Sequence, residues 1–118
     1  MAEKDQNNLI VYCEYDEGRV ADVSLELLTK GRVLADRLGV KLEALVLGDN
    51  LNGIENQLYP YGADVVYKVQ DKRLYPYTST PHAAVLINLF REITPQICLM
   101  GATCIGRDLG PRVSSCLH

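Results

Sequence analysis

The residues best suited to ligand chemistry lie in one glycine-bracketed segment near the end of the chain. Gly101 and Gly106 are separated by four residues, as at the start of the phosphate-binding pattern G-x-x-x-x-G-K-[ST]. The apolar run before Gly101 predicts a buried strand, and the apolar-periodic run after the segment predicts a helix. Such a corner is the commonest ligand-facing site of α/β domains, because backbone N–H groups and the helix dipole converge there.

Two positions of this segment argue against a nucleotide phosphate site. Arg107 replaces the lysine of the pattern, and Asp108 replaces the hydroxyl residue that holds Mg²⁺. A carboxylate at Asp108 would repel the phosphates by several kcal/mol at an effective dielectric constant of about 20. The alternative is a structural strand-to-helix turn, in which the glycines permit a tight bend and Asp108 caps or complements the first helical turn.

Length and composition restrict the class of protein. A chain of 118 residues, 47% of them apolar, suits one globular domain. A net charge of −3 without a basic cluster argues against a nucleic-acid partner. The sequence contains neither an apolar run near the ~20 residues of a membrane span nor a signal-peptide core. We therefore expect a cytoplasmic protein with no direct membrane insertion.

Cysteine and histidine spacing does not suit a metal site. No C-x-x-C pair occurs, and two of the four cysteines lie inside predicted strands, where buried free thiols are common. The histidines are not close enough to cysteines to complete a zinc site. The residues concerned are Cys13, Cys98, Cys104, Cys116, His82 and His118.

Strands and helices alternate along the whole chain. The predicted strands are Leu9–Tyr15, Leu42–Leu47, Val65–Val69 and Gln96–Met100, and the predicted helices begin at Asp22 or Ser24, near Leu51, at Thr80–Pro81 and after the glycine segment. This rhythm predicts an α/β fold, a three-layer Rossmann-like (adenine-nucleotide-hydrolase-like) sandwich with a parallel sheet. The expected strand order is 3-2-1-4, with the continuously apolar first strand in the centre.

Helix boundaries and faces follow from the same pattern. Gly39 is expected to end the first helix and Pro60 to stop the short second helix, with Asn50 or Asn52 as its cap. Gly31 is expected to allow close approach of the first helix to the sheet. The predicted buried positions are Leu27, Gly31, Leu34, Ala35 and Leu38 in the first helix, and Ala84, Ile87, Leu89 and Phe90 in the third.

Two segments leave their roles open. The polar loop from Gln70 to Thr80 carries Tyr75 and Tyr77 beside two cations. Its tyrosines either contact a partner or fold against the domain, and the second reading is favoured because loop aromatics usually pack. The last residues, Val113–His118, stop within a predicted helix without a terminating glycine, so we expect a fragment of a longer protein.

Four stretches together resemble the N-terminal domain of the alpha subunit of electron-transfer flavoprotein, over essentially residues 1–118. The most specific match is Gly101-Ala102-Thr103 with Gly106-Arg107-Asp108-Leu109 and Pro111-Arg112, which is similar to the family's G-A-T-x-x-G-R-D-L-x-P-R signature. The other matches are Leu25–Leu28 followed by Leu34-Ala35, Tyr61–Asp64 for a Y-G-A-D step, and Pro81–Ala84 for a P-Y-A-A helix start. Departures are His82 in place of an aromatic residue, Gly110 in place of alanine, and Pro60 before the Y-G-A-D step.

This resemblance implies a function that spacing did not reveal. Family members pair with a beta subunit, accept electrons from flavoprotein dehydrogenases and pass them to a downstream acceptor, and some relatives bifurcate electrons. Their FAD is bound mainly by a C-terminal domain that this chain lacks, whereas the N-terminal domain serves as scaffold and subunit interface. We therefore assign no catalytic, metal-binding or FAD-binding residue here and expect the fragment to be a redox-silent part of an electron carrier. The signature residues Gly101, Ala102, Thr103, Gly106, Arg107, Asp108, Pro111 and Arg112 are candidates for the interface.

A second function class is a free-standing adenine-nucleotide-binding or stress-protein-like domain of the same fold. It predicts a glycine-rich phosphate loop followed by serine or threonine. Arg107 and Asp108 stand at those positions. The sequence therefore favours the redox-protein scaffold.

Overall fold

A four-stranded parallel sheet forms the centre of the structure. The computed structural model describes residues 8–74, 79–101 and 110–111. Their elements are β1 (Leu9–Cys13), β2 (Tyr15–Asp16), β3 (Arg19–Val20), α1 (Asp22–Leu38), β4 (Leu42–Gly48), α2 (Glu55–Leu58), β5 (Val65–Gln70), α3 (Ser79–Ile93) and β6 (Ile97–Leu99), with 3₁₀ turns at Tyr59–Tyr61 and Lys72–Leu74. Gly110 and Pro111 are also helical.

The strands of the main sheet run in the order β5-β4-β1-β6, and every pairing is parallel. Leu9 of β1 lies opposite Leu42 of β4 on one side and Ile97 of β6 on the other. All residues of β1 and β4 are buried, as expected for central strands of a parallel sheet covered on both faces. The α/β class and parallel sheet are thus confirmed. The prediction differs in a detail, because its four strands omitted the hairpin formed by β2 and β3.

Helices cover both faces of the sheet. Alternate residues of β1 and β4, such as Val11 and Ala44, face α1 and the α2 region in one apolar core. The intervening residues, such as Ile10 and Leu45, pack with Leu86 of α3 in a second core. This alternation gives the three layers of the predicted sandwich.

The first predicted strand was too long at its carboxyl end. β1 ends at Cys13, and Tyr15–Asp16 pairs antiparallel with Arg19–Val20. Glu17 and Gly18 at the turn have φ values of 49° and 81°. Two-residue hairpin turns favour positive φ at both positions, because their twist then matches that of the strands.

Helix α1 begins at Asp22, the first of its two predicted starting residues, but neither Asp22 nor Ser24 is its N-cap. Ala21 is the N-cap and makes no side-chain capping hydrogen bond. The hydroxyl of Ser24 instead accepts a hydrogen bond of 2.8 Å from the N–H of Glu14. Ser24 therefore ties the helix to the end of β1 and cannot serve as the helix cap.

The buried face of α1 is rotated from the predicted stripe. Its buried residues are Ser24, Leu28, Gly31 and Ala35. Leu38 is 41% exposed, while Leu27 and Leu34 are half-buried. The observed spacing of four, three and four residues follows the helical period directly beneath the sheet.

Both glycine predictions for α1 are confirmed. A Cβ at Gly31 would lie 3.0 Å from Cδ1 of Leu42, so the absence of a side chain permits close approach to the sheet. Gly39 ends the helix with φ of 69°, and its N–H bonds to carbonyls of the last turn.

The second helix is a single turn. α2 spans Glu55–Leu58, its N-cap is Ile54, and neither Asn50 nor Asn52 caps it. The Oδ1 atom of Asn50 accepts a hydrogen bond from the Asn52 N–H within the preceding turn. Pro60 follows in the 3₁₀ turn, where a missing N–H is tolerated, so the expected early stop is confirmed.

α3 begins at Ser79, one residue before the predicted start, and buries a different set of residues. Its buried side chains are His82, Ala83, Leu86, Phe90 and Ile93. Phe90 was predicted correctly, Ala84 is exposed, and Ile87 and Leu89 are half-buried. The apolar residues at 84, 87 and 89 occur on more than one helix face, which blurred the pattern.

The polar loop and the fourth strand are shorter than predicted. Gln70 belongs to β5, residues 72–74 form a 3₁₀ turn, and Ser79 already belongs to α3. Tyr75 and Tyr77 lie outside the described residues, so both readings of the loop stay predictions. The predicted strand Gln96–Met100 is observed as Ile97–Leu99.

Candidate functional site at the carboxyl edge of the sheet

The carboxyl ends of β1 and β6 form the topological switch point of the sheet. The chain leaves β1 through α1 on one face and reaches β6 from α3 on the other face. Parallel α/β proteins commonly bind ligands in the crevice at this place. We define the switch-point crevice by three residues on its described walls, Glu14, Val23 and Gly101.

The described part of this crevice is tightly filled. A Cβ at Gly101 would lie 3.1 Å from Cγ2 of Val23 and 3.5 Å from Oε2 of Glu14. The backbone of Gly101 therefore lies directly against a methyl group and a carboxylate. The Glu14 N–H bonds to Oγ of Ser24, and its carbonyl accepts a 2.9 Å hydrogen bond from the Ala21 N–H. These bonds fix the main chain of Glu14 at the start of α1.

A hairpin occupies the connection where a nucleotide-binding protein would carry its glycine-rich loop. The hydroxyl of Tyr15 donates a 2.6 Å hydrogen bond to the carbonyl of Asn50. The Gln57 amide donates from Nε2 to the carbonyl of Gly18 and accepts from the Val20 N–H, at 2.9 and 3.0 Å. The hairpin is thus tied to the β4–α2 connection at its first strand, and to α2 at its turn and its second strand.

Gly48 allows the Tyr15 ring to cover the end of β4. A Cβ at Gly48 would lie 2.9 Å from Cδ2 of Tyr15 and 2.9 Å from Cδ2 of Leu51. Real side chains do not tolerate such a separation, so glycine is required here by packing. The ring position and its hydroxyl bond together fix the hairpin over the sheet edge.

An open cleft of about 500 Å³ lies between the hairpin and the loop after β4. Among the described residues, its lining includes the carboxylates of Glu17 and Asp49 but no lysine or arginine. The lining residues are Tyr15, Glu17, Gly18, Asp49, Asn50 and Asn52. This chemistry is poorly suited to a phosphate or pyrophosphate group.

The predicted signature is only partly within the described residues. Gly101 is buried two residues after the end of β6, and Pro111 is helical and exposed. A Cβ at Gly110 would lie 3.7 Å from Sδ of Met100, so the chain returns beside β6. The remaining candidates, Ala102, Thr103, Gly106, Arg107, Asp108 and Arg112, lie outside the described residues. Their interface role stays a prediction.

The Y-G-A-D step has a clear structural reason. Gly62 has φ of 103°, and Arg32 of α1 lies across it, so a Cβ there would be 2.8 Å from the Arg32 Cδ. The Arg32 Nη1 donates to the Gly62 carbonyl at 2.7 Å and to Oδ2 of Asp64 at 2.8 Å. The same Asp64 oxygen accepts a hydrogen bond of 2.9 Å from the Leu42 N–H. Glycine and aspartate at these positions therefore join α1, β4 and the start of β5.

Comparison with known proteins identifies the family. A model described as the electron transfer flavoprotein domain matches residues 9–118. The chain belongs to the electron transfer flavoprotein domain family. Its match covers the Y-G-A-D step, the switch-point crevice and the complete glycine signature.

Several curated relatives are similar over almost the whole chain. It is 47% identical over 114 residues to protein FixB of Clostridium saccharobutylicum, covering 97% of this chain and 34% of the relative. It is 40% identical over 113 residues to the electron transfer flavoprotein subunit alpha of Megasphaera elsdenii, covering 96% and 33%. It is 43% identical over 108 residues to the acryloyl-CoA reductase electron transfer subunit beta of Anaerotignum propionicum, covering 92% and 29%. The chain spans about a third of the length of these curated relatives.

The described cysteines of this electron transfer flavoprotein domain are free thiols on opposite faces of the sheet. Cys13 faces the α1 core and Cys98 packs against the α3 core. Burial raises the pKa of each thiol to about 12. Cys104, Cys116 and His118 lie outside the described residues. Within the described ranges, no group of three metal-ligating side chains is present, and no helix is long and apolar enough to cross a membrane.

Sequence reasoning missed two polar residues that organise this domain. Glu43 is completely buried in β4, and its Oε2 accepts hydrogen bonds from Nδ2 of Asn8 at 3.1 Å and the Tyr67 hydroxyl at 3.2 Å. A glutamate within the apolar run L-E-A-L-V-L was the available signal. Glu14 was likewise signalled by its place directly after an apolar strand, at the edge where parallel sheets bind ligands.

Proposed function

We propose that this chain is the scaffold and subunit-interface domain of an alpha-type electron-transfer flavoprotein subunit. The complete heterodimer accepts electrons from flavoprotein dehydrogenases and passes them to a downstream acceptor in the cytoplasm. The observation that carries this proposal is the match to relatives named as electron-transfer subunits over 92–96% of this chain. The domain is then a component of an electron carrier, without catalytic residues of its own.

The described residues do not fit FAD, which the family implies as cofactor. A pyrophosphate needs converging N–H donors or cations, and the flavin ring needs an apolar slot. The carboxylate of Glu14 lies in the switch-point crevice, and Glu17 and Asp49 line the open cleft. We therefore place the FAD of the complete protein mainly outside this chain, in the C-terminal domain that the resemblance implies, and assign no redox step to these residues.

The scaffold role agrees with how the domain uses its polar groups. The Arg32 guanidinium, the Asp64 carboxylate and the Gln57 amide all bond to neighbouring elements of the same domain. Such bonds hold elements in fixed positions, and a rigid surface reduces the entropy lost on docking a partner. We propose the beta subunit as that partner, with the segment from Gly101 to Arg112 at the contact.

A reconstitution experiment tests this proposal. The full-length alpha protein and its Arg107→Ala variant are titrated with the beta subunit, with Arg37→Ala on the exposed side of α1 as the matched control. We expect Arg107→Ala to weaken beta-subunit affinity by about tenfold, the size of one desolvated interface pair, and Arg37→Ala to leave it unchanged. Unchanged affinity and flavin retention in Arg107→Ala would remove the interface role.

A second experiment tests the 118-residue chain by itself for binding of FAD and AMP. We expect it to be colourless and to take up neither FAD nor AMP. Stoichiometric flavin absorption, or micromolar AMP binding by calorimetry, would contradict the scaffold and support the free-standing nucleotide-binding alternative.

A further inference from the structure

The carboxyl end of β4 forms a slot for an aromatic ring, which we call the ring slot and define by Gly48, Asn50 and Leu51. Gly48 is its floor, because a Cβ there would lie 2.9 Å from Cδ2 and 3.0 Å from Cε2 of the Tyr15 ring. The buried Leu51 is its wall, with Cδ2 2.9 Å from the same Cβ position. The Asn50 carbonyl accepts the 2.6 Å hydrogen bond from the Tyr15 hydroxyl. The slot therefore offers apolar contact and one hydrogen-bond acceptor.

Hydrogen bonds that do not involve Tyr15 hold the floor and the wall of the ring slot. The Gly48 carbonyl accepts a 2.9 Å hydrogen bond from the Asp71 N–H. The Leu51 N–H donates a 2.9 Å hydrogen bond to Oε1 of Gln70. Both partners lie at the end of β5 or directly after it. Removal of the Tyr15 side chain should therefore leave the slot in place.

The open cleft beside the hairpin leads to the ring slot. Tyr15 and Asn50, which meet at the slot, also line this cleft of about 500 Å³. The carboxylates of Glu17 and Asp49 lie in the same lining, so a ligand with a negative charge would be repelled there. Gln57 holds the hairpin through two bonds of its own. The chemistry of the cleft therefore suits a neutral ligand.

We infer that the ring slot is a binding site for a neutral, planar aromatic ring with a hydrogen-bond donor on its edge, a class that includes nucleoside bases and phenols. Apolar walls with one well-placed polar group are typical of small-molecule sites, and parallel sheets bind ligands at the carboxyl ends of their strands. Tyr15 is the specificity-determining residue, because its own ring and hydroxyl fill the slot from within the chain. The inference rests on the proposed scaffold function and names the side chain that keeps this domain free of such ligands.

Four variants test the assignment. Tyr15→Ala opens the slot, and Tyr15→Leu, which removes the ring and the hydroxyl but keeps apolar contact, replaces it in the comparison if alanine prevents folding. Tyr59→Ala is the matched control, because it removes a tyrosine ring that is 50% exposed. Gly48→Ala combined with Tyr15→Ala locates the ligand, since the added Cβ would occupy the floor of the slot.

The test measures binding of p-cresol, toluene, adenosine and AMP to the 118-residue chain by calorimetry and amide chemical shifts, with thermal melts to verify folding. We expect Tyr15→Ala to bind p-cresol, adenosine or both at least about tenfold more tightly than wild type and Tyr59→Ala do. Toluene lacks the donor of p-cresol, and the phosphate of AMP meets the carboxylates of the cleft. Each should bind about tenfold more weakly than its counterpart. Adenosine binding identifies a nucleoside base as ligand, and binding of p-cresol alone identifies a phenol.

Three results would overturn the inference. The first is a folded Tyr15 variant that binds neither p-cresol nor adenosine better than wild type. The second is an equal gain in Tyr59→Ala, or binding that persists after Gly48→Ala, because the ligand would then lie elsewhere. The third is equal affinity within both pairs of probes, because neither the donor nor the charge would then matter. Micromolar binding of adenosine or AMP by wild type would instead contradict the scaffold function itself.

Discussion

Gly62 has a backbone conformation that alanine reaches only with strain. Its φ is 103°, and an added Cβ would lie 2.8 Å from Cδ of Arg32. We expect Gly62→Ala to lower the free energy of unfolding by roughly 2–4 kcal/mol, from positive φ and overpacking together. Gly39→Ala is the control, because Gly39 has φ of 69° with nothing within 4 Å, and should cost only about 1–2 kcal/mol. Equal losses in urea denaturation would contradict the crowding by Arg32.

The thiols of Cys13 and Cys98 should be unreactive in the folded protein. Burial raises the pKa of both to about 12, so almost no thiolate exists at pH 8. In a chain with Cys104→Ser and Cys116→Ser, we expect no alkylation by iodoacetamide until guanidinium unfolds the protein. The same shift predicts stability that is complete below pH 9 and lost as the pH rises towards 12, because unfolded thiols ionise first. Rapid alkylation of the native protein would show that one thiol is accessible.

At the scale of elements, Arg32 connects α1 to the turn before β5. Arg32→Met keeps the aliphatic stem but removes the bonds to Gly62, Asp64 and Asp36. Its partly exposed position limits the expected loss of unfolding free energy to about 1 kcal/mol. Lys68→Met, which removes the single exposed bond to Glu55, should cost less. An equal or larger loss of unfolding free energy in Lys68→Met, measured by urea denaturation, would contradict this stabilising role of Arg32.

The contact between Arg32 and Asp64 also predicts how the stability of the protein changes at acid pH. Burial alone would raise the pKa of Asp64, but hydrogen bonds from the Leu42 N–H and Arg32 outweigh it and lower that pKa below 3.8. The stabilisation is therefore present above pH 3.8 and lost as the pH falls through the lowered folded-state pKa. Asp64→Asn should reduce this acid dependence in unfolding measured between pH 2 and 5.

The hairpin depends on Gln57 for its position. Gln57→Ala removes the bonds to the Gly18 carbonyl and the Val20 N–H. We expect about 1–2 kcal/mol of lost stability and faster hydrogen exchange at the Val20 amide. The neighbouring exposed Asn56→Ala serves as control and should leave that amide protected. Unchanged Val20 exchange in Gln57→Ala would show that other contacts hold the hairpin.

At the scale of the whole molecule, the buried side chain of Glu43 in β4 is hydrogen-bonded to Asn8, directly before β1, and to Tyr67 of β5. Its carboxyl group accepts hydrogen bonds from Nδ2 of Asn8 and from the Tyr67 hydroxyl of β5. The Oδ1 atom of Asn8 in turn accepts a hydrogen bond from the Lys41 N–H. Tyr67→Phe should lower the free energy of unfolding by about 1–2 kcal/mol, because a buried carboxylate loses a donor. Tyr59→Phe removes a hydroxyl from a side chain that is 50% exposed and should be neutral in denaturant titrations. Equal effects of the two variants would contradict the network.

The sequence alone determined the class of fold and the family. Continuous apolar runs at β1 and β4 indicate strands covered on both faces, and alternation with helical segments indicates a parallel sheet. Gly39 and Pro60 were read correctly, because positive φ and a missing N–H are local properties of the residue. The signature around Gly101 and the Y-G-A-D step were sufficient to suggest the electron-transfer flavoprotein family, which the comparisons then established.

Tertiary structure decided how polar residues are used. Ser24 is a residue type that often caps helices, but its hydroxyl bonds to the Glu14 N–H. Glu43 is an ionisable residue, yet it is completely buried. The faces of α1 and α3 were only partly predicted: Gly31, Ala35 and Phe90 are buried as expected, but other positions differ. Both helices carry apolar residues on several sides, and only packing against the sheet selects one of them. The surroundings of the Glu14 carboxylate depend on Gly101, which follows β6 and lies 87 residues later in the chain. Such long-range pairings create the environment of a side chain, and no local pattern contains them.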